Sequence, residues 1–134
     1  DLPLSPRYAF GYGLSYTTFR YDNLQLDKKK MKAGEQISLQ LKVTNTGKYA
    51  GEEVVQLYLR DRFGSVVRPV KELKDFRKIS LQPGETKTVQ FIINKEKLSF
   101  YNDKLQWIAE PGVFDVMIGS ASDDIRLKEV IELM

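Results

Sequence analysis

The residues of this chain that could do chemistry are carboxylates, because histidine and cysteine are both absent from its 134 residues. Their absence excludes Ser-His-Asp triads, thiolate nucleophiles and zinc sites built on sulfur or imidazole. A pair of acids can by itself supply the nucleophile and the proton donor of a glycosidase. The candidate acids are Asp61, Asp75, Glu110 and the adjacent Asp123 and Asp124.

These acids lie in turns or beside lysines and arginines, where carboxylates usually cap, pair with bases or stay hydrated. Nothing in the pattern builds the apolar pocket that would raise the pKa of one acid above that of another. Calcium is a second possibility for Asp61, Asp115, Asp123 and Asp124, but none of them lies in a D-x-D-x-D-G loop. The sequence therefore predicts no catalytic residue, no metal site and no cofactor in this chain.

A predicted loop over residues 61–69 has a composition suited to contact with a partner or with a sugar. It carries Arg62, Phe63 and Arg68 around the flexible Gly64. Loops of this kind also connect strands without any further role. The three side chains are therefore candidates for a partner-contacting or substrate-rim loop, although the sequence slightly favours a plain connection.

Trp107 and Tyr101, in the stretch SFYNDKLQWIAE, support a second binding hypothesis. Aromatic rings on the surface of a carbohydrate-binding module stack on sugar rings. A sandwich of β-sheets also uses large aromatic residues in its core, and Trp107 is the only tryptophan of the chain. The sequence favours a buried Trp107, with a sugar platform as the alternative.

The segment YAFGYGLSYTTF is rich in aromatic rings but too broken by glycine to form a regular strand or helix. Left in water, these rings would make an unusually large apolar patch. Residues 1–19 are therefore predicted to be an irregular arm that packs on the sandwich or on another domain. The side chains predicted to dock are Tyr8, Phe10, Tyr12, Leu14, Tyr16 and Phe19.

The rest of the chain consists of short alternating segments separated by turns rich in glycine and proline. Apolar and polar residues alternate from Ile37 to Val43 and again at 55–59, 89–93 and 114–118, which predicts strands with one buried face. Further strands are expected at 19–26, 73–81, 105–109 and 125–133, with a helical turn at 94–98 capped by Asn94. This spacing predicts an all-β fold, an antiparallel β-sandwich over residues 20–134.

The charge of the chain is mixed, with 21 basic and 18 acidic residues and a net charge of +3. The run Lys28-Lys29-Lys30 is short and lacks interleaved aromatics, so a solvated turn is favoured over a nucleic-acid or anionic-membrane patch. No apolar run approaches the ~20 residues that span a bilayer. We therefore predict no nucleic-acid partner and no membrane partner. The first residues lack an initiator methionine and a signal-peptide pattern, so we expect a piece of a longer protein.

Four motifs occur in the order typical of one known family: FGYGLSYTTF, NTG-x-x-x-GEEVVQLY, RPVKELK-x-F and a PGE turn. On these motifs the chain resembles the carboxy-terminal fibronectin type III-like domain of glycoside hydrolase family 3 enzymes, chiefly β-glucosidases and β-xylosidases. The resemblance implies an immunoglobulin/fibronectin type III-like β-sandwich. It also implies that the catalytic nucleophile and acid/base lie in preceding domains, so that this chain alone is inactive.

In that family the FGYGLSYT segment leads from the preceding domain into the fibronectin-like one. The resemblance therefore implies that the aromatic arm packs between domains, and that the partners are the catalytic domains of the same parent chain. The expected function is that of a non-catalytic structural module of a β-glucosidase-type hydrolase. The alternative is an independent carbohydrate-binding module in contact with a glycan. Bacterial parents of this kind are often periplasmic or secreted, although the sequence itself fixes no compartment.

Overall fold

The fold is seen in a computed structural model, which describes residues 16–62 and 71–134. These two ranges contain ten β-strands and one short 3-10 helix. The elements are β1 (Phe19–Leu26), β2 (Lys30–Met31), β3 (Ile37–Asn45), β4 (Gly51–Asp61), β5 (Lys71–Leu81), β6 (Thr86–Ile93), η1 (Glu96–Leu98), β7 (Phe100–Tyr101), β8 (Trp107–Ile108), β9 (Gly112–Ala121) and β10 (Asp124–Leu133). No helix in these ranges is long and apolar enough to cross a bilayer.

The strands form two main sheets that face each other as a sandwich. One sheet has the order β1-β3-β6 and the other has the order β2-β10-β9-β4-β5. Neighbouring strands are antiparallel except for the two-residue β2, which lies parallel to β10. The strands β7 and β8 form a separate two-stranded hairpin. The predicted all-β sandwich is therefore confirmed.

The core lies between the two sheets and comes from the predicted alternation. In β3 every second residue from Ile37 to Val43 is fully buried, because successive side chains of a strand point to opposite faces. The facing strands contribute Val55, Leu57 and Leu59 from β4, Val89, Phe91 and Ile93 from β6, and Phe114, Val116 and Ile118 from β9. Each such side chain, fully buried, contributes about 1.5 to 3 kcal/mol relative to an exposed one.

The last segment, IRLKEVIEL, has a pattern that a helix would also fit, and it was predicted as a strand from its β context. It forms β10, which pairs antiparallel with β9 along most of its length. Ile131 and Leu133 enter the core, while Val130 and Glu132 lie on the other face. The strand prediction is confirmed.

The segment 105–109 differs from the prediction of a regular strand. Only Trp107 and Ile108 are extended, and they pair with Phe100 and Tyr101 in the small hairpin. The turn of this hairpin is built on Asn102, whose side-chain oxygen accepts hydrogen bonds from the backbone N–H groups of Lys104 and Gln106, both at 2.9 Å. This local turn competes with incorporation of the segment into either main sheet.

The predicted helical turn at 94–98 is present as the 3-10 helix Glu96–Leu98. The backbone N–H of Lys97 donates to Asn94 Oδ1 at 3.0 Å, so the asparagine side chain closes the turn from its amino-terminal side. Leu98 is fully buried in the core. The turn therefore fixes the backbone that follows β6 against the sandwich.

The lysine run is paired with acids of the same fold. Lys30 belongs to β2 rather than to a turn. The ion pairs are Lys28 with Glu35 at 3.7 Å, Lys29 with Glu129 at 3.3 Å, and Lys30 with Glu132 at 3.9 Å. Exposed pairs of this kind add little stability, but they balance the charge of the run locally.

Candidate functional site

Two opposite ends of the sandwich carry exposed aromatic side chains on well-defined supports. At one end Thr44 of β3 pairs with Thr86 of β6, next to the start of β1. At the other end Ile37 pairs with Ile93, which Asn94 follows directly. We call the first the Asn45 end (Tyr16–Thr18 and Asn45–Tyr49) and the second the Trp107 groove (Glu72, Lys74, Asn94, Glu96, Lys97 and Trp107).

The Asn45 end is built on a buried asparagine with every side-chain hydrogen-bonding position used. The Thr17 hydroxyl and the Gly47 backbone N–H donate to Asn45 Oδ1 at 2.8 and 2.9 Å. Asn45 Nδ2 donates to the backbone oxygens of Tyr49 at 2.8 Å and Leu81 at 3.1 Å. The side chain is fully buried, so these four bonds meet the requirement that buried polar groups be paired.

Gly47 makes the close approach of Thr17 possible. A Cβ at this position would overlap the Thr17 hydroxyl and crowd the backbone nitrogen of Thr18. The neighbouring backbone is tied as well, because the Thr46 N–H donates to the Thr18 oxygen at 2.9 Å. The point at which the chain enters β1 is therefore held by neutral hydrogen bonds to the turn after β3.

Two tyrosines project from this end. Tyr16 is 80% exposed, although the next residue, Thr17, is buried. Tyr49 is 63% exposed on the turn that Asn45 holds. Each ring is exposed next to backbone that is fixed by buried contacts.

Of the six residues predicted to dock, two are among those that the structure describes, and their exposure differs. Tyr16 is the exposed member, as described. Phe19 is 7% exposed and belongs to the core of the sandwich, so its ring packs within the chain rather than on its surface. The other four, Tyr8, Phe10, Tyr12 and Leu14, lie outside the described residues.

Trp107 lies on the surface, and the prediction of a buried core tryptophan is wrong. The side chain is 50% exposed. The Tyr101 ring meets it edge-on, with centroids 4.9 Å apart and an interplanar angle of 60°. The reason is the turn built on Asn102, which directs the chain into the hairpin instead of into a main sheet.

Lys74 supports Trp107 from within the protein. Its side chain is 7% exposed, and its ammonium lies 4.7 Å from the Trp107 ring centroid and 4.1 Å from that of Phe100. The ammonium donates to the backbone oxygen of Ser99 at 2.7 Å and to Glu72 Oε1 at 3.1 Å. A charge buried this far needs such partners, and cation–π contacts add to them.

The Trp107 groove has a volume of about 680 Å³ and a lining that is partly polar and partly apolar. Glu72 and Lys74 contribute from β5, and Lys97 contributes from the 3-10 turn. Lys97 Nζ is paired with Asp75 Oδ2 at 2.9 Å. The Glu96 carboxylate is exposed and forms no hydrogen bond or ion pair with the residues that the structure describes.

The candidate acid Asp75 is held as an ion-pair partner. Burial alone would raise its pKa, but hydrogen bonds from Lys97, the Phe76 backbone N–H and Arg77 outweigh burial and hold the pKa below its ordinary value. A carboxyl group with a lowered pKa is ionised at neutral pH and is a poor proton donor. This environment is that of a structural carboxylate.

Asp115 is a buried carboxylate that clamps two arginines. Arg60 Nη2 lies 2.7 Å from Asp115 Oδ2, and Arg62 Nη2 lies 2.9 Å from Asp115 Oδ1. Burial alone would raise the pKa of Asp115, but hydrogen bonds from Arg62 and Arg60 hold it below its ordinary value. Arg62, predicted to contact a partner, is thus held by Asp115, while Phe63 and Arg68 lie outside the described residues.

The remaining candidate acids do not converge. Asp61 is buried at the end of β4, Asp124 pairs with Arg126 at 2.9 Å, and Asp123 is exposed. Within residues 16–62 and 71–134, no three acidic side chains come together in a group that could hold a metal ion. The sequence reasoning missed Asn45 and Lys74 because their partners are distant in sequence.

Comparison with known proteins shows which domain family and which longer proteins contain segments similar to this chain. The model of the fibronectin type III-like domain matches residues 53–122. Over 92% of this chain, 50% of residues are identical to the "Beta-glucosidase BoGH3A" of Bacteroides ovatus, and over 94% of it, 45% are identical to a "Beta-xylosidase" of Formosa agariphila. The crystal structure of a β-glucosidase from Listeria innocua in complex with glucose superposes on 92% of the chain with a TM-score of 0.80 and 42% identity.

The matched segment is a small part of each of these proteins. The chain spans 17% of the length of the two relatives and 17% of the Listeria innocua chain. Nearly all of this sequence therefore corresponds to one segment of a much longer polypeptide in each case.

Proposed function

Because this chain belongs to the fibronectin type III-like domain family, we propose that it is a non-catalytic structural module of a larger family 3 glycoside hydrolase. The similar segments lie in proteins named β-glucosidase and β-xylosidase, of which they make up 17%. The parent is proposed to hydrolyse the O-glycosyl bonds of β-glucosides or β-xylosides with retention of configuration. This module acts by docking on the catalytic domains and stabilising their arrangement.

The observation that carries the docking proposal is the exposed Tyr16 next to a locked backbone. A flexible tyrosine would lose conformational freedom on docking, whereas one attached to fixed backbone loses less. Tyr49 adds a second ring at the same end. Tyrosine suits such an interface because its ring can be buried while its hydroxyl keeps a polar partner.

The environments of its acids support the proposal that the module is not catalytic. Asp75 and Asp115 are each held by two basic side chains, and their lowered pKa values keep them ionised. We therefore propose that hydrolysis requires the other domains of the parent.

The docking proposal is tested in the full-length parent with the double variant Tyr16→Ser and Tyr49→Ser. The melting temperature and the activity on chromogenic β-glucosides and β-xylosides are compared with wild type. We expect both to fall, because two rings lose their buried contacts with the neighbouring domain. In the isolated 134-residue chain the same variant should melt within about 2 °C of wild type, since both side chains are exposed there.

Phe76→Ser is the matched control. Phe76 is a comparably exposed aromatic residue on β5, away from the Asn45 end, so its replacement should leave the parent unchanged. If the tyrosine variant leaves the parent's melting temperature and activity unchanged, docking through the Asn45 end is wrong.

A further inference from the structure

We propose that the Trp107 groove is a carbohydrate-binding site that takes one or two rings of a neutral oligosaccharide. The site lies at the end of the sandwich opposite to the Asn45 end. It therefore goes beyond the structural role proposed above and can be tested separately from it.

The first argument is the support of the Trp107 ring. Half of the side chain's surface is exposed, while Lys74 lies over the ring from inside and Tyr101 meets it edge-on. A large apolar ring kept at the surface in a defined orientation is ready to stack on a flat apolar face, such as the C–H face of a pyranose. Little side-chain freedom is lost on binding, because the ring is already positioned.

The second argument is size and lining. The groove volume of about 680 Å³ falls within the range of ~300 to 1,000 Å³ typical of small-molecule sites. Trp107 and Leu73 give the lining apolar surface, and its other residues add carboxylate, ammonium and amide groups. Such a site can bind a molecule that has an apolar face and a rim of hydroxyl groups.

The third argument is the balance of charge. The ammonium of Lys74 is paired with Glu72, and that of Lys97 is paired with Asp75. An anion would have to compete with the two carboxylates, and Glu96 is the one carboxylate of the described lining that a cation would find without a basic partner. A sugar hydroxyl can both donate and accept a hydrogen bond. It can donate to the carboxylate of Glu72 or Glu96 and accept from the ammonium of Lys97, and the ion pairs stay in place.

The test uses the 134-residue chain, in which Trp107 is the only tryptophan, so tryptophan fluorescence excited selectively over that of the seven tyrosines reports this site alone. Cellotetraose, laminaritetraose and xylotetraose are titrated to about 10 mM, which would occupy about 90% of sites for a Kd of about 1 mM. We expect at least one of them to shift the fluorescence saturably and to give heat in calorimetry. No saturable signal from any of the three overturns the proposal.

Two variants locate the binding. Glu96→Gln keeps the shape of the groove and removes a carboxylate that is unpaired among the described residues, so the Kd measured by calorimetry should rise at least threefold without change in melting temperature. Trp107→Ala should raise the Kd at least tenfold. Tyr16→Ser at the Asn45 end should leave the Kd unchanged. Binding that survives both groove variants places the sugar elsewhere and overturns the proposal.

A protein occupant of the groove would give a different result. If Trp107→Ala lowers the melting temperature of the full-length parent by several degrees more than that of the isolated chain, a neighbouring domain covers the groove and the carbohydrate site is wrong. Docking through the Asn45 end is measured with other variants, so either proposal can fail while the other stands.

Discussion

The two ends of the sandwich present aromatic rings on different kinds of support. At the Asn45 end the support is neutral: one buried asparagine makes four hydrogen bonds to hydroxyl and backbone groups. At the Trp107 groove the support is ionic, with Lys74 and Lys97 each paired with a carboxylate. Neutral buried bonds hold a surface firmly, whereas an open groove lined by charged groups keeps polar groups available for a ligand. The first arrangement suits a lasting interface and the second suits a reversible ligand.

The largest effect that separates the two ends is expected from Asn45→Ala. It leaves the part-buried backbone oxygen of Tyr49 and the buried one of Leu81 without their donor and should lower the free energy of unfolding by about 3 kcal/mol. Asn94→Ala, which removes a single hydrogen bond to Lys97 at the groove, should cost about 0.5 to 1 kcal/mol. Urea denaturation of the two variants measures the difference. Equal losses would show that the asparagine at the Asn45 end is no more important than a turn cap.

Gly47→Ala should have the next largest effect. The added methyl group overlaps the Thr17 hydroxyl, so the residue that precedes β1 must move, at a cost of about 2 kcal/mol. Gly34→Ala is the control, because a Cβ there meets nothing within 4 Å and its effect should stay within about 0.5 kcal/mol. Thermal unfolding of both variants distinguishes them, and a Gly47→Ala protein as stable as wild type would mean that Thr17 is not locked.

The regular strands could be predicted from sequence, and the supports of the two surfaces could not. Alternation from Ile37 to Val43 fixes which face of β3 is buried, because a strand has only two faces. The position of Trp107 depends instead on the side-chain hydrogen bonds of Asn102 and on Leu105, which adopts a left-handed φ of 61°. Composition does not reveal such a turn in advance, since only a few non-glycine residues adopt it.

The supports also depend on contacts between distant segments. Asn45 bonds to the backbone of Leu81, 36 residues away, and Lys74 bonds to Ser99, 25 residues away. An N-T-G sequence indicates a turn, but it does not indicate which strand end will receive the asparagine side chain. Likewise, nothing in the sequence distinguishes Lys74 from the other lysines of β5, because its burial depends on the hairpin that packs beside it.

The smallest expected effect is the change in stability at low pH, which depends on the ion-paired carboxylates and not on the neutral hydrogen bonds of Asn45. Asp75 and Asp115 have pKa values in the folded protein that lie below the ordinary 3.8. Their contribution to stability is therefore complete at a pH above their pKa in the unfolded chain, and it is lost as the pH falls through their pKa in the folded protein. Asp115→Asn should therefore cost about 1 kcal/mol at pH 7 and less at pH 3. The loss caused by Asn45→Ala should be the same at both pH values. Urea denaturation at pH 7 and pH 3 tests this, and a pH-independent Asp115→Asn loss would contradict it.

The strand β5 lies at the edge of the larger sheet among the described strands, and it is 11 residues long. A long edge has unpaired backbone groups that can join a second copy of the same strand. This one carries Lys71, Lys74, Arg77 and Lys78 against two acids, so two copies repel each other. Salt weakens that repulsion, with a screening length of about 8 Å at physiological ionic strength and about 3 Å at 1 M. Concentrated stocks of the isolated module should therefore stay monomeric in dilute buffer and self-associate through this strand in molar salt.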